Sequence, residues 1–146
     1  MKRIYLILAI ALSAVWILAG CETLNKLPTN TSGGIFSLNG NWALIATNDG
    51  NAEMGTTVTV LPVVGNGSVK SLANNSYCYR ESDVAWKDIK TVPSGGFTLN
   101  NLAGACNGTI TYKEGTITIE NNNLIKINSK TISGSALVQE WKRVTN

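Results

Sequence analysis

Few residues in this chain could do chemistry. Histidine is absent from all 146 residues, which removes the commonest general base and metal ligand at neutral pH. Ser-His-Asp, Cys-His and His-based zinc arrangements are therefore excluded. Two carboxylates can still hydrolyse a bond as a pair, and Asp49 with Glu53, or Glu81 with Asp83, are neighbours in sequence. Both pairs sit beside turn signals and read as solvated loop acids. Asp49-Gly50-Asn51 with Glu53 offers oxygen donors to calcium, but the ligand spacing of an EF-hand loop is missing. The glycine-rich turns carry no Walker pattern. The expectation is a protein that is not an enzyme and needs no cofactor or metal.

The first of the three cysteines, Cys21, follows a segment with its own signature. Lys2 and Arg3 give residues 1–20 a positive start, and Ile4 to Leu18 carries no charge. That is the pattern of a secretory signal; a membrane span needs about 20 apolar residues and this run is shorter. Its end, Leu18-Ala19-Gly20-Cys21, resembles the bacterial lipobox. The resemblance implies that the chain is cleaved before Cys21 and that this residue carries the lipid. One acyl chain anchors a protein only marginally and two or more do so stably. Residues 1–20 are thus expected to be a lipoprotein signal peptide. Residues 21–34, rich in Asn, Thr, Ser and Gly around Pro28, are expected to be a lipidated flexible tether. The mature chain would meet the membrane through its lipid alone.

Charge and the other cysteines narrow the partners. Without Lys2 and Arg3, 10 basic residues face 9 acidic ones. Nucleic-acid binding leaves clustered Lys and Arg on one face, and no such cluster is visible, so no nucleic-acid partner is expected. Once Cys21 is committed to lipid, Cys78 and Cys106 form an even pair in an oxidising compartment. With neither C-x-x-C spacing nor histidine nearby, they read as a structural disulfide. Such a bridge closes a loop of about 30 residues, which the chain-entropy model values at about 3–4 kcal/mol.

Residues 35–146 must supply the scaffold. No apolar stripe of helical length runs through them, whereas short Thr-, Val- and Ile-rich segments alternate with Gly and Asn, the pattern of an all-β barrel or sandwich. Trp42, Leu44 and Ala46 share one strand face, and so do Val58 and Val60. Asp83 to Lys90 fits a strand carrying Val84 and Trp86, with a short helix as the alternative. From Thr109 to Ile127 the pattern suggests a meander. A two-residue turn at Glu114-Gly115 would pair Tyr112 with Ile117, and a three-residue turn at Asn121-Asn122-Asn123 would pair Ile119 with Ile125 and Ile117 with Ile127. The last strand, Ala136 to Val144, puts Leu137, Gln139, Trp141 and Arg143 on one face. Eight or nine strands suit closure into a small barrel that leaves no exposed edge.

Leu38-x-Gly40-x-Trp42 on the first strand, the antiparallel run that follows and the late Arg143 together resemble the lipocalin and calycin pattern, particularly the short lipocalin-like lipoproteins of Gram-negative bacteria. The resemblance implies an outer-membrane location and a single antiparallel meander barrel, closed where Arg143 packs across Trp42. Such a cation–π contact is worth about 0.5–2 kcal/mol. In that setting the barrel either holds a small hydrophobic molecule or only packs side chains. Tyr79, Arg80, Trp86 and Phe97 are the candidate pocket residues, and the chain is expected to be a monomer. Two further resemblances point instead to an interaction protein working through exposed loops. Exported barrel protease inhibitors share the L-x-G-x-W-like opening. Gly104-Ala105-Cys106-Asn107 resembles, with one insertion, the Gly-Cys-Asn of META-type lipoproteins, although no cysteine follows Cys106.

Overall fold

The computed structural model describes residues 36–61 and 65–145. The expected signal peptide, the lipid-bearing Cys21 and the tether lie outside the described residues. The strands are β1 (Gly40–Thr47), β2 (Thr57–Leu61), β3 (Asn66–Ser71), β4 (Val84–Thr91), β5 (Phe97–Gly104), β6 (Thr111–Asn121), β7 (Leu124–Lys130) and β8 (Ala136–Val144). Each pairs antiparallel with its neighbour in sequence, and β1 pairs with β8, so eight strands form one closed meander barrel. This is the architecture of a lipocalin-like barrel. The segment expected as strand or short helix is the strand β4, Val84–Thr91, with Asp88 at φ 55 marking a bulge opposite β5.

The period-2 pattern places the core. Trp42, Leu44, Val58, Val60, Ile117, Ile125, Ile127, Leu137 and Trp141 are all buried, and the intervening side chains of the wall face outward. The β6–β7 hairpin has the expected register, Ile119 opposite Ile125 and Ile117 opposite Ile127. It is reached by a different device: Asn121 pairs with Leu124 across a two-residue turn, and a bulge at Glu120 restores the parity that a three-residue loop would have given.

The hairpin expected at Glu114-Gly115 does not exist. β6 runs through these residues unbroken, and Tyr112 pairs with Leu102 of β5 rather than with Ile117. Gly115 is absent from the residues at positive φ, whereas a two-residue hairpin turn needs a left-handed residue there. Its role is close approach: a Cβ at this position would lie 2.7 Å from the Asn128 carbonyl oxygen and 3.0 Å from Ser129 Cβ on β7. The connection into β6 comes earlier, after Gly104, and contains the short helical turn Cys106–Gly108.

The meander gives the barrel two ends. Phe36 to Gly40, the Val92–Gly96 and Asn122-Asn123 turns and the end of β8 lie at one, which we call the seam end. The other carries the connections β1–β2, β3–β4, β5–β6 and β7–β8. A disulfide between Cys78 and Cys106, with Cα atoms 5.0 Å apart, ties two of these connections together, so this is the disulfide end.

Candidate functional site

At the seam end the geometry follows from three residues. Trp42 and Arg143 are direct partners across the β1–β8 pairing, and the guanidinium lies 4.2 Å from the centroid of the Trp42 ring. Trp42 donates its indole N–H to Leu38 O at 2.8 Å. Arg143 donates to the backbone carbonyls of Ser37, Asn39 and Asn122, and burial lowers its pKa. The glycine of the Gly40-x-Trp42 motif is required twice over: its φ is 116, and a Cβ there would meet Arg143 Nη1 at 3.0 Å. The residues singled out for barrel closure therefore form one contact system.

The four expected ligand residues are not brought to one pocket: Tyr79 and Trp86 line a small internal void, Phe97 lines a recess at the seam end, and Arg80 lines neither. Trp86 is fully buried and packs edge-on against Trp141 at 4.9 Å between ring centroids. Tyr79 is buried and donates its hydroxyl to Leu102 O. Arg80 is exposed at the disulfide end. Phe97 sits at the opposite end, 6.2 Å from Phe36 between ring centroids. The barrel centre holds a void of only about 10 Å³, bounded among others by Val58, Trp86 and Trp141. The three aromatic residues Trp42, Trp86 and Trp141 occupy the space that a ligand would need. The interior around this void is packed with this chain's own side chains.

Two larger concavities open at the barrel's end and on its wall. A recess of about 250 Å³ at the seam end is lined by Phe36, Leu38, Val60, Leu61, Ile89 and Phe97, among others. An open groove of about 970 Å³ runs along the outer wall of β4 to β7. Its floor is a polar cross-strand row in which Lys90 faces Thr98, Thr98 faces Thr116 and Thr116 faces Asn128.

At the disulfide end one acid departs from its expected place. Glu53, expected as a solvated loop acid, is only 1% exposed. The Tyr77 N–H donates to its Oε1 at 2.8 Å and its own N–H donates to Asn74 O at 3.0 Å. It therefore clasps the β1–β2 connection to the β3–β4 connection. Desolvation raises its pKa to about 7, with backbone and Thr56 hydrogen bonding opposing the shift. Glu53 adopts φ 60, and Asn74, Cys78, Ser82 and Asn107 at the same end also have positive φ. Non-glycine residues persist in that region only where the surroundings over-determine them. The sequence offered one signal for this, an acid bracketed by Gly50 and Gly55, and it equally described a solvent-facing loop.

Among the described residues no group of three or more His, Cys, Asp or Glu could hold a metal ion. No protein-family model, curated protein or solved structure matches this chain.

Proposed function

We propose that this protein is a lipid-anchored lipoprotein of the bacterial envelope whose barrel acts through its surface, as a non-enzymatic interaction module. The observation that carries the reading is the filled interior, where about 10 Å³ remains, against the several hundred Å³ (about 300–1,000) of ordinary small-molecule sites. The strained, disulfide-braced connections at one end supply rigid loops, and rigid loops lower the ordering cost of association. The chain enters the barrel at Phe36, at the seam end.

The test is site-specific photo-cross-linking in cells. A photoreactive residue at Arg80 or Glu81, both exposed at the disulfide end, should give a discrete adduct with another envelope protein, and one at Asn122 of the seam end should not. Absence of any adduct from the disulfide-end positions would overturn the reading.

A second reading rests on the seam-end recess. Its lining of Phe36, Leu38, Val60, Ile89 and Phe97 suits a short apolar group set against the seam end of the core. Calorimetric titration with a medium-chain fatty acid should then show saturable binding that Phe97→Asp abolishes. No saturable binding to the unaltered chain removes this reading.

A further inference from the structure

Three of the buried side-chain polar atoms without a hydrogen-bond partner in the protein belong to residues that line one void: Glu53 Oε2, Trp86 Nε1 and Trp141 Nε1. All three residues are at least nine-tenths buried, at 1%, 0% and 3% exposure. The void measures about 10 Å³, room enough to admit a water molecule. Indole N–H groups donate only, and a carboxylate accepts. An occupant must therefore accept two hydrogen bonds and donate at least one. Metal ions and ammonium fail the first requirement, and anything larger fails the volume.

We propose that this void is a built site for a single water molecule, which accepts from the indoles of Trp86 and Trp141 and donates to Glu53, so that the charge on Glu53 is felt by both indoles. The Asn101–Gln139 amide pair, joined at 3.3 Å on the same lining, offers the acceptor for the second hydrogen. The inference does not depend on the interaction reading. It gives the disulfide end a proton-sensitive element, because Glu53 both bounds the water site and clasps the two connections that close that end.

The groups facing Glu53 keep its titration simple. From the β3–β4 connection come the Tyr77 backbone N–H and Tyr79; from the β1–β2 connection, Thr56; from β5 and β8, Asn101 and Gln139. Of these only Tyr79 titrates, and burial together with the nearby Glu53 charge pushes its pKa far up, so its hydroxyl stays protonated on Leu102 O. No Lys, Arg or Asp is among the residues that line the void. The carboxyl itself, raised to about 7 by desolvation, changes charge in the neutral range.

The whole chain in detergent micelles, labelled with ¹⁵N-tryptophan, tests this by rotating-frame NOE spectroscopy. Trp86 and Trp141 Hε1 should show direct cross-peaks to a long-lived water, and Trp42 Hε1, bonded to Leu38 O, should show none. Both reporting indole shifts should move with one inflection near neutral pH. In Glu53→Gln the water cross-peaks should remain and the inflection should vanish. Lack of a water cross-peak at both indoles in the unaltered chain overturns the site even if the variant does not fold. An inflection that survives in Glu53→Gln overturns the coupling.

Discussion

Arg143 and Trp42 are direct partners across the β1–β8 pairing, with the guanidinium 4.2 Å from the ring centroid, and this pair joins the first and last strands of the chain. The same guanidinium ties down Ser37, Asn39 and Asn122 through their carbonyls. One residue therefore fixes the entering segment, the β6–β7 turn and the seam. Arg143→Met should lower stability by about 1–3 kcal/mol, combining the cation–π contact with lost charge-assisted hydrogen bonds. Arg143→Lys should recover little, since an ammonium lacks the planar fork. Urea denaturation of the three proteins checks both, and a fully stable Lys variant would contradict the fork argument.

The disulfide closes a loop with a sequence separation of 28, and removing it should cost about 3–4 kcal/mol in the chain-entropy model. Cys78→Ser with Cys106→Ser should melt well below the oxidised protein while still folding. Equal melting of oxidised and reduced protein would remove the bridge from the stability argument.

Glu53 sets the pH dependence. Its folded pKa, about 7, lies above the ordinary value of 4.5, so the folded state holds this proton more tightly than the unfolded chain. The contribution is fully present below pH 4.5 and is lost as pH rises through about 7. On the order of 3 kcal/mol is at stake. Thermal melts should show higher stability at pH 5 than at pH 8, and Glu53→Gln should flatten that difference. A melting temperature that rises across the same interval only in the unaltered protein would reverse the sign and refute the burial argument.

Gly115 should behave as a packing glycine. Gly115→Ala puts a methyl against the Asn128 carbonyl at 2.7 Å, and overpacking against backbone of this kind costs about 1–3 kcal/mol. Chemical denaturation checks the value. A neutral substitution would show that β6 and β7 are not so closely apposed.

Cys21→Ser should move the protein from the membrane fraction to the soluble fraction on cell fractionation. Retention in the membrane would count against the lipid anchor.

Much of the barrel was legible because its signals are local and periodic. Residues 136–144 alternate faces as written, with Leu137, Gln139 and Trp141 buried, and the Ile117, Ile119, Ile125 and Ile127 pattern allowed one parity only. Glu114-Gly115 misled because a Glu-Gly dipeptide looks alike whether glycine is there to turn or to admit a neighbouring strand. The reason for Gly115 is the close approach of Asn128 and Ser129, which no local window contains. Glu53 was hidden for the same cause: its carboxylate is held by the Tyr77 N–H, 24 residues away. Trp86 and Tyr79 could serve a pocket or a core equally well by residue type, and only the closing of the barrel around Trp42 and Trp141 decides for the core.

The most direct measurement is native mass spectrometry of the chain extracted gently from its own membrane. A solid barrel predicts the polypeptide with its covalent lipid and no stoichiometric non-covalent small molecule. A retained small molecule that leaves only when the protein unfolds would show that the interior opens to a ligand, and would contradict the surface-acting barrel.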